Sequence, residues 1–254
     1  MILYVNGDSH SAGAELVENY CFASDDPRYN YLDRRPHPDC IPHSYGYKLS
    51  RMLNTGFYLD AESGSSNARI MRTTRNFLAD NRKQDTFVLI GWTSWEREEW
   101  LHKDTHYQIT AGGTDSVPEE LESKYKQWVS SQDMTEIDRK QAQWHEDIYD
   151  LHTELQDAAI DHLFFNTHSW FRDHVQDKVD WHDCYIDPYT QQGTYIEWCK
   201  AQGHNNVFYG SYHYDRSAHT AWAKNLLPRL TKGITSANIE TKTIVPVKTT
   251  RVMK

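Results

Sequence analysis

Gly7-Asp8-Ser9-His10 sets a hydroxyl between a carboxylate and an imidazole near the start of the chain. Ser9 follows the apolar run Ile2–Asn6 and leads into a segment that reads as a helix over 11–20. It would therefore stand at the carboxyl end of a strand, beside helix N-terminal N–H groups, where ligands and developing anions are held. Asp8 and Ser9 suit equally well as a plain helix cap. Toward the other end, His213 precedes Ala218, His219 and a helix expected over 217–230. A neutral imidazole takes up a proton near neutral pH, because its ordinary pKa is roughly 6.5. Ser9 and His213 are thus a candidate nucleophile and general base, although a histidine standing alone is more often structural.

The elements that would position these residues alternate. Strands are expected over 2–6, 57–60, 86–91 and 161–166, with a possible fifth over 183–187. Helices are expected over 11–20, 67–81, 133–159 and 217–230. The run 86–91 is apolar at nearly every position, as in a parallel sheet covered on both faces. Ile137, Trp144, Ile148, Leu151, Leu155 and Ala158 lie at the spacing of one helical face. Pro27, Pro36, Pro38 and Pro42 break 21–47 into irregular chain, and Gly112-Gly113 marks a loop. This order predicts an α/β fold with a mostly parallel sheet of about five strands between helical layers. The domain is expected to span 1–232, with a helical, Trp-rich insertion over about 95–160 and a basic tail over 233–254.

Together these blocks resemble the SGNH hydrolase (GDSL-like esterase/lipase) superfamily. Residues 7–9 match its G-D-S block after the first strand. Tyr58–Gly64 matches the block after the second strand and points to Gly64. Gly91-Trp92-Thr93 takes the place of G-x-N after the third strand, and His213, Ala218 and His219 fit the spacing of the last block. The resemblance runs in order through residues 1–230. It implies a flavodoxin-like three-layer sandwich and a serine ester hydrolase with no cofactor or metal. His213 would deprotonate Ser9 as Ser9 attacks an ester carbonyl. The N–H groups of Ser9 and Gly64, with Thr93, would hold the oxyanion. Trp92, Trp95, Arg97 and His10 would lie near the pocket and bind substrate, unless the tryptophans only pack the insertion. The implied substrate is a small acyl ester or an acylated carbohydrate.

Two positions depart from the family pattern. Thr93 replaces an asparagine donor, and Gly210 stands where the aspartate of D-x-x-H belongs. Asp183, Asp187 and Asp215 are candidate replacements, and a Ser–His dyad without an acid is the other. The departures keep open a catalytically silent binding or structural module on the same fold, and an acyltransferase is a further alternative. A metal hydrolase built on His168, His174, His182 and Asp183, or on His37, Asp39, Cys40 and His43, lacks any specific ligand spacing.

Composition narrows the remaining classes. The 254 residues carry a net charge of −9, and the tail from Lys232 onward holds five cations against Glu240. The rest is strongly acidic and would repel a phosphate backbone, so nucleic acid is not expected as a partner. No apolar run has membrane length, and no signal-peptide pattern follows Met1. A cytoplasmic product with four reduced cysteines is the expectation.

Overall fold

The computed structural model describes residues 1–17, 36–81, 85–111, 117–172, 175 and 178–233. Cys21, Pro27, His174, residues 18–20 of the first expected helix, the Gly112-Gly113 loop and the tail from 234 lie outside the described residues.

Four strands form one parallel sheet in the order β2-β1-β3-β6: β1 (Ile2–Asn6), β2 (Gly56–Leu59), β3 (Thr86–Trp92) and β6 (His162–Asn166). Among the described residues seven helices accompany it: α1 (Ser9–Ala12), α2 (Tyr45–Leu53), α3 (Asn67–Asp80), α4 (Glu122–Ser131), α5 (Met134–Asp157), α6 (Tyr195–Ala201) and α7 (Arg216–Gly233).

Alternation along each central strand divides the core in two. Leu3, Val5, Phe87, Leu89, Leu163 and Phe165 face one way and pack with Leu49 of α2, Cys199 of α6 and Trp222 and Leu226 of α7. Tyr4, Val88, Ile90, Trp92 and Phe164 face the other way and pack with Ile70 and Phe77 of α3 and Ile148, Leu151 and Leu155 of α5. The fold is the expected α/β arrangement of a mostly parallel sheet flanked by helices.

Among the described residues the sheet has four strands, where about five were expected. The segment near 183–187 runs beside β6 only as an isolated parallel bridge between Phe164 and Tyr185, framed by two backbone hydrogen bonds. Pro188 directly behind it cannot donate to a ladder. The insertion is helical at α4 and α5 but opens with an antiparallel hairpin, β4 (Glu98–His102) and β5 (Thr105–Ile109). Trp100, Ile109, Tyr125 and Trp128 form a separate small core there. The last helix runs through Pro228 rather than ending near it.

Candidate active site

Four loops meet at the carboxyl edge of the sheet. The first carries the turn from β1 into α1. Gly7 has φ +151°, and a Cβ there would collide with the Ser11 side chain and lie 2.8 Å from the Gly91 carbonyl oxygen. Only glycine lets α1 sit this close to β1 and β3. Asp8 caps α1, accepting from the His10 N–H at 3.0 Å.

Asp8 is wholly buried, and its other oxygen collects three donors: the Thr93 hydroxyl at 2.8 Å, His168 Nε2 at 3.0 Å and the Arg97 guanidinium at 3.4 Å. Burial alone would raise its pKa. The hydrogen bond from His168 and the charge of the Arg97 guanidinium outweigh that and hold it far below the carboxylate range.

His213 is a second imidazole packed near His10. Its Nδ1 lies 2.9 Å from Glu15 Oε2, which also accepts from the Ser211 hydroxyl at 2.6 Å. Burial pushes the Glu15 pKa up, but the bonds from His213 and Ser211 bring it below the ordinary glutamate value. Glu15 is therefore ionised near neutrality and can only accept, so Nδ1 of His213 carries a proton toward it. The ring of His10 lies 4.8 Å from that of His213 and 4.9 Å from that of His168. Ser9 is half-buried and stands between Asp8 and His10 in the chain. Burial pushes the pKa of His10 well down, so its ring is neutral.

The acid facing His213 is thus none of the three aspartates weighed from the sequence. Asp215 accepts from the Ala218 N–H and the Ser217 hydroxyl and caps α7, while Asp183 and Asp187 lie on the segment beside β6. Gly210 is exposed with φ +90° and open space around it. Glu15 reaches His213 because the chain turns sharply after α1: Gly13 has φ +72° and Glu15 itself φ +62°. A left-handed glutamate costs of order 1 kcal/mol and persists only where its surroundings impose it. Here Arg216 Nε donates to the Leu16 carbonyl at 2.6 Å and ties the turn to the start of α7.

The expected oxyanion donors divide. Gly64 sits in a turn at φ +76° after β2, which is fastened to the first loop by the Glu62 N–H donating to the Gly7 carbonyl. Neither the Ser9 nor the Gly64 N–H has an acceptor among the described residues. Thr93 is a correction. Its single hydroxyl proton goes to Asp8, and its backbone N–H donates to Asn67 Oδ1 at 2.9 Å. It fixes Asp8 and has nothing left to offer an oxyanion.

Trp92 and Trp95 are likewise corrected as substrate contacts. Trp92 is fully buried against Phe164, and Trp95 stacks on Phe171 with centroids 4.7 Å apart. Both pack the core beneath the insertion. Arg97 and His10 remain at the site.

Glu15 and His168 are the site residues that sequence reasoning missed in these roles. No spacing could have found Glu15, since 198 positions separate it from His213. His168 lies two residues past β6 and so on the same edge, which was a usable signal. The two histidine sets considered for a metal hydrolase do not gather three ligand atoms among the described residues. No helix among those residues is long and apolar enough to cross a membrane. No protein-family model, curated protein or solved structure matches the chain.

Proposed function

We propose that the protein is a serine ester hydrolase of the SGNH type, acting on small acyl esters or acylated carbohydrate. Ser9 is the nucleophile, His213 the general base and Glu15 its orienting acid. The observation that carries this reading is the 2.9 Å contact between His213 Nδ1 and Glu15. It restores the carboxylate whose absence at Gly210 had argued against catalysis. A base held this way keeps its proton on Nδ1 and would offer Nε2 to Ser9.

In the reaction His213 Nε2 takes the Ser9 proton as Oγ bonds to the acyl carbon, and Glu15 stabilises the resulting imidazolium. The N–H groups of Ser9 and Gly64 receive the oxyanion. The protonated His213 then gives its proton to the leaving alcohol, and water, activated by the same ring, releases the acid.

A fluorophosphonate probe tests this without knowledge of the substrate. Peptide mass spectrometry should find one label per chain, on Ser9, and none in Ser9→Ala. A folded protein that takes no label would favour the silent binding module, a reading that draws on the commitment of Thr93 to Asp8.

A further inference from the structure

A second cluster of polar side chains lies at the other end of β6, independent of the hydrolase reading. His162 is the first residue of that strand, His152 lies in the last two turns of α5, and Cys184 lies on the segment beside β6. One ligand atom from each falls within 4.8 Å of the other two. Between His162 and the carboxyl edge the strand climbs four residues, about 13 Å at 3.3 Å per residue. The cluster therefore has no part in the chemistry at Ser9.

Its hydrogen bonding is that of a ligand set. His162 Nδ1 is 3.0 Å from the Ile160 carbonyl, which can only accept, so the proton is on Nδ1 and Nε2 carries the lone pair. Metal-bound histidines are oriented by this same donation of the second ring nitrogen to a carbonyl. The lone pair on Nε2 meets a ring nitrogen of His152 at 2.8 Å. His152 is fully buried, yet its Nε2 has no hydrogen-bond partner among the described residues, so half of the polar capacity of this ring is unused there. The half-buried Cys184 has only a weak 3.5 Å contact to the His182 carbonyl. Asp161 and Asp183 lie close enough to act on its sulfur electrostatically, which favours a cation nearby.

We propose that His152, His162 and Cys184 bind one zinc ion, which staples the end of α5 to β6 and to the segment beside it. Two imidazoles and a thiolate are a borderline-to-soft donor set that suits zinc and rejects magnesium or calcium. On binding, the Cys184 thiol loses its proton to solvent, and the cation takes the place of the proton on His152 Nδ1, which moves to Nε2 of the same ring so that both imidazoles stay neutral. Water completes a tetrahedral shell.

Cobalt(II) titrated into chelator-treated, reduced protein reports the site directly. A thiolate-to-cobalt charge-transfer band should appear in the near ultraviolet, saturate at one equivalent and vanish on adding zinc. Cys184→Ser should lose the band while keeping the metal-free melting temperature of the parent, and Cys40→Ser should keep it. His152→Gln should weaken zinc binding by about 100-fold or more, since loss of even an outer-shell partner costs up to about that much. Absence of the band, or its survival in folded Cys184→Ser, would overturn the proposal.

Discussion

Under the proposed function Glu15 decides whether Ser9 sits in a working site, because no other carboxylate among the described residues accepts from His213. Replacing it by glutamine keeps the size and the hydrogen-bonding reach but lets the ring take the wrong tautomer. Glu15→Gln should slow probe labelling of Ser9 and ester turnover by about 10²–10⁴-fold, with Glu15→Asp recovering part of the loss. The pH profile of labelling should also move to lower pH in Glu15→Gln, because the imidazolium loses its counter-charge. A variant that merely loosened the fold would leave that profile in place. At this scale the sequence was half legible. Ser9, Gly64 and His213 stand in short blocks whose spacing survives within one loop or one helix. Glu15 depends on a left-handed turn after Gly13 and on a partner at the far end of the chain, and residue order encodes neither. Thr93 was misread for a related reason. Its place after β3 was right, but three-dimensional neighbours, Asp8 and Asn67, had already claimed its hydroxyl and its backbone.

Among the elements, the β4–β5 hairpin does more than decorate the insertion. Gln108 of β5 accepts from the Ser66 N–H at 2.8 Å and from the Ser66 hydroxyl at 2.9 Å, and it donates to Glu99 at 2.8 Å. Glu99 in turn pairs with Arg72 of α3 through two contacts of 2.6 and 2.8 Å. Ser66 is the N-cap of α3 and lies two residues from Gly64, so the hairpin braces the turn that would present an oxyanion donor under the proposed function. Gln108→Leu strands the buried Ser66 N–H, at a cost of about 1–3 kcal/mol. Urea unfolding should read that loss, and kcat on an ester should fall while KM changes little, because the displaced donor acts mainly in the transition state. An unchanged kcat in the folded variant would release the hairpin from any role at the site. The hairpin was hidden in the sequence because Glu98–Ile109 mixes charges and histidines with its apolar residues. Its two strands bury only a small local core rather than a face of the main sheet. The long amphipathic α5 and the apolar β3 were legible for the opposite reason, since each buries an unbroken stripe or run. α7 continues past Pro228 because its apolar face, through Leu226 and Leu230, is buried against the sheet. That packing outweighs the local penalty of a proline.

For the whole molecule, the placement of histidines sets a direction for stability against pH. His219 is buried beneath α2, where Nδ1 accepts from the Tyr45 N–H at 3.1 Å, and burial pushes its pKa down to about 3. His10, buried at the site, is pushed down for the same cause. In the unfolded chain both rings titrate near 6.5. Below that pH the unfolded state binds protons that the native state refuses, so stability falls as pH falls, by up to about 1.4 kcal/mol per pH unit for each ring. The loss from His219 continues until the pH nears its native value. Asp8 and Glu15 act in the same direction lower down. Their pKa values are depressed in the fold, so their contribution holds above the ordinary carboxylate range and is lost as pH drops through it. Urea midpoints should therefore decline steadily from pH 7 to 5, before any carboxylate protonates, and more steeply below 4.5. His219→Gln keeps an acceptor for the Tyr45 N–H but cannot titrate, so it should flatten the first part of that decline. Midpoints independent of pH between 7 and 5 would mean that these rings are protonated in the native protein, and the neutral state of His10 at the site would lose its physical basis.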